Sequence, residues 1–91
     1  MERKVLIFYI HGWASSGLAL KANILQKHFE TVYAPTLPVN ADLAMDLLEN
    51  TLKLLIPHYK ITLVGSSLGG FYSTYLSDKY NLKSVLINPA L

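Results

Sequence analysis

Cysteine is absent from the 91 residues of this chain, and no segment concentrates charges of the same sign. Without cysteine the protein has neither disulfide bonds nor thiolate metal ligands, which fits a reducing compartment, and we expect the cytoplasm. The formal net charge of +2 comes from scattered lysine and arginine. Nucleic acids and anionic membranes bind concentrated positive charge, so we expect neither as a partner.

Long hydrophobic runs are also missing. The apolar run near the N-terminus reaches only from Val5 to Ile10 before His11 and Gly12 interrupt it. A signal peptide or a membrane-spanning helix needs more consecutive apolar residues than this. We therefore predict a buried strand here, and a single domain over residues 1–91, because 52% apolar residues suit one small core.

Four short apolar runs alternate with three helical patterns. The runs are rich in β-branched and aromatic residues, as strands buried on both faces of a parallel sheet are, and they cover residues 5–10, 31–35, 61–65 and 84–89. The helical patterns cover residues 17–29, 42–56 and about 68–79. This alternation predicts an α/β fold: a doubly wound, three-layer sandwich with four parallel strands and three crossover helices.

The second helical pattern carries the clearest apolar periodicity. A spacing of 3.6 residues predicts that one face of this helix packs against the sheet. The predicted face comprises Leu43, Leu47, Leu48, Leu52, Leu55 and Ile56. Pro57 follows and ends the helix, because proline cannot donate the backbone hydrogen bond that the next turn requires.

The segment LVGSSLGG, residues 63–70, places Ser67 between Gly65 and Gly69, where the third predicted strand turns into a helix. A serine in this setting is typical of a nucleophile elbow, which lifts the hydroxyl out at the carboxyl edge of the sheet. The two glycines leave room for the turn and for close packing of the helix. We interpret Ser67 as a catalytic nucleophile.

Two other interpretations of this segment stay open. Ser66 or Ser67 could cap the following helix, since serine is a preferred N-cap residue. Backbone N–H groups at the start of the helix could instead bind an anion. The segment lacks the lysine of a P-loop and the glycine spacing of a dinucleotide site, which counts against the anion interpretation.

A second motif, YIHGW, ends the first predicted strand and brings His11, Gly12 and Trp13 to the same edge as Ser67. Acyl transfer needs two N–H groups that face the developing oxyanion, one from the residue after the nucleophile and one from a loop after an earlier strand. The backbones of Leu68 and Trp13 occupy these positions. For the Trp13 side chain, an ordinary half-buried aromatic residue is an equal alternative.

Together, the segments YIHGWASSGLALKANIL, APTLP, LVGSSLGGFYSTYLSDKY and LINPAL resemble the α/β-hydrolase superfamily and, within it, the small bacterial YqiA-like esterases and their close relatives. The resemblance extends over essentially the whole chain. It implies a serine hydrolase that acts on small carboxylic or thio esters through an acyl-enzyme on Ser67, with no metal and no organic cofactor. It also implies the strand order 2-1-3-4.

The chain departs from this family in the rest of the catalytic triad, which follows the serine in the order Asp or Glu, then His. After Ser67 the chain has one acid, Asp78, and no histidine. Asp78 lies eleven residues along the helix, about 16 Å away at 1.5 Å per residue, so we exclude it. We expect His58 and His28 at the opposite edge of the sheet. His11 lies on the correct edge, where the resemblance implies that it orients the oxyanion loop.

Two hypotheses about function follow. In the first, the chain is the N-terminal half of such an esterase, and it is weakly active or inactive alone because a serine without a base is a poor nucleophile. In the second, it is a non-catalytic half-domain that forms a homodimer through strand 84–88, since sheets rarely leave an apolar edge unpaired. A combination of the two has a partner chain supply the missing acid and base.

Overall fold

The structure is a computed structural model that describes residues 3–11, 27, 29 and 31–89, with the backbone alone at residues 67, 68, 88 and 89. The described elements are, in chain order, β1 (Lys4–Ile10), β2 (Val32–Tyr33), α1 (Ala41–Leu55), β3 (Tyr59–Ser67), α2 (Leu68–Tyr80) and β4 (Lys83–Pro89). Each begins and ends within two residues of its predicted bounds. The helix predicted over residues 17–29 lies almost wholly outside the described residues.

One parallel sheet contains all four described strands, in the order β2-β1-β3-β4, which confirms the predicted order. β1 and β3 pair along the whole of β1, from Lys4 opposite Tyr59 to Ile10 opposite Gly65. The carboxyl ends of these two strands therefore lie side by side. β2 is shorter than predicted and pairs only with Ile7 and Phe8 of β1, because the chain reaches a proline, which cannot donate to the ladder, two residues after it ends.

Both faces of the central strands are buried, as the continuous apolar runs predicted. One face packs against both described helices, and its buried residues are Leu6, Phe8, Ile10, Ile61 and Leu63 of the sheet with Ala44, Leu48, Leu52, Tyr72 and Leu76 of the helices. The opposite face buries Ile7, Tyr9 and Val64 in a cluster without a residue of α1 or α2. Side chains alternate between the faces, so consecutive residues of β1 belong to different clusters.

The predicted sheet-facing stripe of α1 is wrong for its first two leucines. Leu43 and Leu47 are 59% and 39% exposed, whereas Ala44, Leu48 and Leu52 are fully buried against the sheet. Residues four apart form a narrow row along a helix, and this row is the fully buried part of α1. Leu55 and Ile56, at the end of the predicted face, are partly buried against the same core. The periodicity identified a broad apolar arc, but it could not determine which part of the arc the sheet covers.

Two polar contacts hold the ends of the helices. The Asn40 side chain caps α1 by accepting the Leu43 N–H at 3.1 Å. At the end of α2, Asn81 adopts a φ of 55°. The Leu82 N–H then turns back to the carbonyl oxygen of Ser77 at 2.9 Å, which is the pattern of a Schellman motif. Neither described helix is long and apolar enough to cross a membrane.

A charged cluster joins the middle of α1 to the C-terminal end of α2. Glu49 of α1 accepts hydrogen bonds from Lys79 and, at 2.8 Å, from the Tyr80 hydroxyl of α2. Both hydrogen bonds lower the pKa of Glu49, and the one from Lys79 has the larger effect. The same bond raises the pKa of Lys79, while burial and then the bond to Glu49 raise the pKa of Tyr80.

Candidate active site

The predicted nucleophile position lies at the junction of a strand and a helix. β3 ends at Ser67 and α2 begins at Leu68, with no connecting residue. The pairing of β3 with β4 shifts register between Ser66 and Ser67, so the regular ladder ends one residue before the junction. Because α2 begins where a parallel strand ends, this junction lies at the carboxyl edge of the sheet, as the motif predicted.

The two glycines of the motif make a close contact that a side chain would block. A β-carbon at Gly69 would overlap the backbone of Ile10, with the Ile10 carbonyl carbon at 2.6 Å and the His11 carbonyl oxygen at 2.9 Å. A β-carbon at Gly65 would overlap Gly69 and the hydroxyl of Ser73. Glycine at both positions therefore lets α2 start directly against the end of β1, which confirms the expected close packing of the helix.

The serine before the candidate nucleophile has a partner of its own. The Ser66 hydroxyl and the Tyr9 hydroxyl share a hydrogen bond of 2.7 Å, and both side chains are buried, at 3% and 1% exposure. Ser66 therefore does not cap α2, and the capping interpretation remains only for Ser67. One signal of this bond is present in the sequence, because a tyrosine within a buried strand usually needs a polar partner.

His11 follows β1 directly and is partly buried. Its Nε2 atom accepts the backbone N–H of Leu37 at 3.4 Å, which ties the end of β1 to the loop that precedes α1. This bond uses the lone pair that a general base needs at that nitrogen. The contact supports the interpretation of His11 as a residue that orients its loop.

The structure describes the backbone of one predicted oxyanion donor, Leu68, but not that of the other, Trp13. Leu68 is the first residue of α2, and its N–H belongs to the helix turn whose N–H groups have no partner within the helix. The predicted positions of Gly12 and Trp13 lie outside the described residues. His11 immediately precedes them in the chain, and its carbonyl oxygen lies beside Gly69, in the first turn of α2.

The other histidines and the acid after the serine lie away from the junction or outside the described residues. His58 is exposed between α1 and β3, at the opposite end of the strand from Ser67. Asp78 is exposed near the C-terminus of α2. His28 lies outside the described residues. In the part of the chain that the structure describes, no group of three or more His, Asp or Glu residues could hold a metal ion.

Ser73 is a polar residue near the junction that sequence reasoning missed. It faces the sheet from α2, is fully buried, and its hydroxyl has no hydrogen-bond partner among the described residues. Its position opposite Gly65 shows the reason for a small side chain, since a larger one would push α2 away from β3. Nothing in a helical pattern distinguishes such a serine from an exposed one.

A cavity among the described residues lies away from this junction. It has a volume of about 370 Å³ and lies between β2 and α1, lined by Leu6, Thr31, Val32, Tyr33, Thr51, Leu54, Leu55 and Tyr59. Tyr59 begins β3 and Leu55 ends α1, so the cavity lies toward the amino edge of the sheet. It includes none of the predicted site residues, and we assign it no role in catalysis.

The sheet order and the serine between a strand and a helix define the first part of an α/β-hydrolase fold. A solved structure described with LipS and LipT, two metagenome-derived lipolytic enzymes, matches 97% of this chain with a TM-score of 0.79 and 15% sequence identity. This chain spans 43% of the length of that protein. The likeness confirms the fold that the sequence motifs implied.

A family model gives a closer assignment. The chain belongs to the Uncharacterised protein family UPF0227, whose model matches residues 6–91. The matched range includes both motifs at the carboxyl edge. The family model shows the family, and the structural match shows the α/β-hydrolase fold that the resemblance implied.

Proposed function

We propose that this chain carries the nucleophile half of a serine hydrolase that acts on small carboxylic or thio esters through an acyl-enzyme on Ser67. The observation that carries the proposal is the contact of Gly69 with Ile10 and His11. It brings the start of α2, directly after Ser67, against the end of β1. The lipolytic activity of the matched protein is consistent with this reaction class.

In the proposed reaction, the Ser67 hydroxyl oxygen attacks the carbonyl carbon of the ester, and a base removes its proton. The carbonyl oxygen becomes an oxyanion, which accepts hydrogen bonds from the N–H groups of Leu68 and Trp13. The intermediate collapses when the alcohol or thiol leaves with the proton. Water then attacks the acyl-enzyme in the same way, which releases the acid and restores Ser67.

The base and the acid of this reaction are proposed to come from protein beyond the described residues. Nε2 of His11 is held by Leu37, and His58 lies at the far end of β3. A continuation of the polypeptide or a partner chain would supply both groups. We therefore expect the isolated chain to turn esters over poorly, with only the residual catalysis that binding and an oxyanion hole provide.

The test is the intact mass of the purified chain after treatment with a fluorophosphonate, with and without added imidazole as a substitute base. We expect one adduct that forms slowly, forms faster with imidazole, and is lost in Ser67→Ala. Ser77→Ala is the matched control, because Ser77 lies on the same helix, donates to Thr74, and should leave the adduct unchanged. A folded chain that forms no adduct in either condition would contradict the proposal.

A second candidate function is supported by the exposed side of β4. This strand is last in the sheet order, so its outer edge has no partner among the described residues. Val85 and Leu86, which alternate between the two faces, are 47% and 43% exposed. Two copies could pair these edges across a two-fold axis, as a non-catalytic half-domain that forms a homodimer.

Sedimentation at micromolar concentration tests this second candidate. A homodimer through β4 predicts twice the chain mass, and Val85→Lys should give a folded monomer, because a charged side chain on an edge strand opposes pairing. Leu43→Lys is the control, since Leu43 is exposed on α1, away from that edge. A native chain that sediments as a monomer excludes the homodimer.

A further inference from the structure

The buried hydrogen bond between Tyr9 and Ser66 connects the two segments that form the candidate site. Tyr9 lies on β1 two residues before His11, and Ser66 lies on β3 directly before Ser67. Their hydroxyl oxygens are 2.7 Å apart. The bond therefore joins β1 to β3 at the carboxyl edge, immediately before the junction of β3 and α2.

The surroundings of this bond make it a firm link. Tyr9 packs in the apolar cluster of Ile7 and Val64, and at 1% exposure its side chain is shielded from water. A hydrogen bond in such a setting meets no competition from solvent, and removal of one partner leaves the other buried and unpaired. The link thus holds Ser66 in one position relative to β1.

The β-ladder between β1 and β3 ends before Ser66, so it does not join Ser66 to β1. Regular pairing of β3 with β1 runs up to Gly65 opposite Ile10, and the pairing with β4 shifts register after Ser66. Ser66 is therefore the last residue of β3 that pairs with β4 before this shift in register, and Ser67 pairs beyond it. The Ser66 side chain fixes the peptide that leads into Ser67.

We propose that Tyr9 is a positioning residue for the nucleophile elbow: through Ser66 it sets the backbone direction at Ser67 and Leu68. This inference rests on the proposed function, in which the Ser67 hydroxyl and the Leu68 N–H act on the same ester carbonyl. A displacement of the elbow by a fraction of an ångström separates these two groups from their target and slows acylation. Tyr9 itself does not touch the substrate.

Tyr9→Phe is the primary test, because it removes one oxygen atom and keeps the ring that fills the core. Residual dipolar couplings of the backbone amides report the direction of each N–H bond. We expect those of Ser67 and Leu68 to change in Tyr9→Phe. We expect no change there in Tyr72→Phe, the matched control, since Tyr72 is also buried but its hydroxyl makes no hydrogen bond to the residues that the structure describes.

The rate of the fluorophosphonate adduct on Ser67 is the second readout. We expect Tyr9→Phe to lower the maximal labelling rate about tenfold while the reagent concentration for half-maximal rate stays the same. Ser66→Ala should have a similar effect, and the double variant should be no slower than the slower single variant, because both changes break one link. The unfolding midpoint of each variant, measured in parallel, identifies any loss caused by unfolding.

Unchanged couplings at Ser67 and Leu68 in a folded Tyr9→Phe variant would overturn the positioning role. So would a labelling rate equal to that of Tyr72→Phe. If the native chain is not labelled at all, the proposed function fails, while the dipolar couplings still decide whether Tyr9 sets the direction of the elbow. If Tyr9→Phe is labelled slowly but the couplings do not move, the inference fails and the proposed function stands.

Discussion

Gly69, in the first turn of α2, lies directly against the backbone of Ile10 at the end of β1. No side chain fits between them, so the helix that follows the candidate nucleophile is as close to the neighbouring strand as a backbone allows. This contact brings the start of α2 beside the backbone of His11. The geometry of the candidate site therefore depends on a glycine that takes no part in the chemistry.

Gly69→Ala should destabilise the protein by about 2 to 3 kcal/mol, because backbone atoms on both sides of the new methyl group must move apart. Urea unfolding, followed by circular dichroism, measures the loss. Asp78→Ala on the same helix is the control, since its side chain is exposed, and it should change stability by less than about 0.5 kcal/mol. A Gly69→Ala variant as stable as this control would show that the contact is not tight.

Ser73→Ala should leave stability unchanged or increase it by up to about 1 kcal/mol, because it removes a buried hydroxyl that has no hydrogen-bond partner among the described residues. Alanine also favours the helix more than serine does. Thermal unfolding of Ser73→Ala beside Ser66→Ala gives the comparison. Ser66→Ala should be destabilising, since it leaves the Tyr9 hydroxyl unpaired; the reverse ranking would contradict our account of both hydroxyls.

Asn81→Ala should destabilise the protein by about 1 kcal/mol, because a residue with a β-carbon and no polar side chain is strained at a φ of 55°. Asn81→Gly should be neutral or slightly stabilising, since glycine is the preferred residue after a helix. Differential scanning calorimetry of the two variants measures the difference. Equal unfolding temperatures would indicate that the left-handed conformation is not required.

Glu49→Gln should reduce stability most near neutral pH. The pKa of Glu49 is lowered from 4.5, so the native state binds this proton less tightly than the unfolded chain does. Its contribution is present above that value and fades as the pH falls. The pKa values of Lys79 and Tyr80 are raised from 10.5 and 10.0, so their contributions are present below those values and are lost at higher pH.

Melting temperatures of the native chain and of Glu49→Gln, measured from acid to alkaline pH, give the readout for this cluster. The difference in melting temperature between the two proteins should become smaller at both acid and alkaline pH. Tyr80→Phe is the control, because it keeps the ion pair between Glu49 and Lys79 and should retain the loss at acid pH. A difference that stays constant with pH would show that the ionised cluster does not stabilise the fold.

Leu48→Ala should destabilise the protein by about 2 to 5 kcal/mol, because its side chain is fully buried against the sheet and its loss leaves a cavity. Leu43→Ala, on the same helix but 59% exposed, should cost less than about 0.5 kcal/mol. Chemical unfolding of both variants is the measurement. Similar losses at the two positions would support the wider apolar face that the periodicity predicted.

Local sequence patterns predicted most of the fold. The continuous apolar runs identified β1, β3 and β4. In β1 and β3 such a run reflects burial on both faces of the sheet, whereas Val85 and Leu86 of β4 are exposed. Pro57 determined the end of α1, and the asparagine at its start provides the cap. β2 was predicted too long, since its length depends on how far it pairs with β1 and not on its own residues.

The sequence by itself determined the position of the candidate nucleophile, because the spacing of Gly65, Ser67 and Gly69 already requires a tight junction between strand and helix. Only the tertiary structure decided which side chains support it. The bond between Tyr9 and Ser66 joins residues 57 positions apart in the chain, and the register of β1 against β3 brings them together. Such contacts depend on strand pairing, which no local pattern specifies.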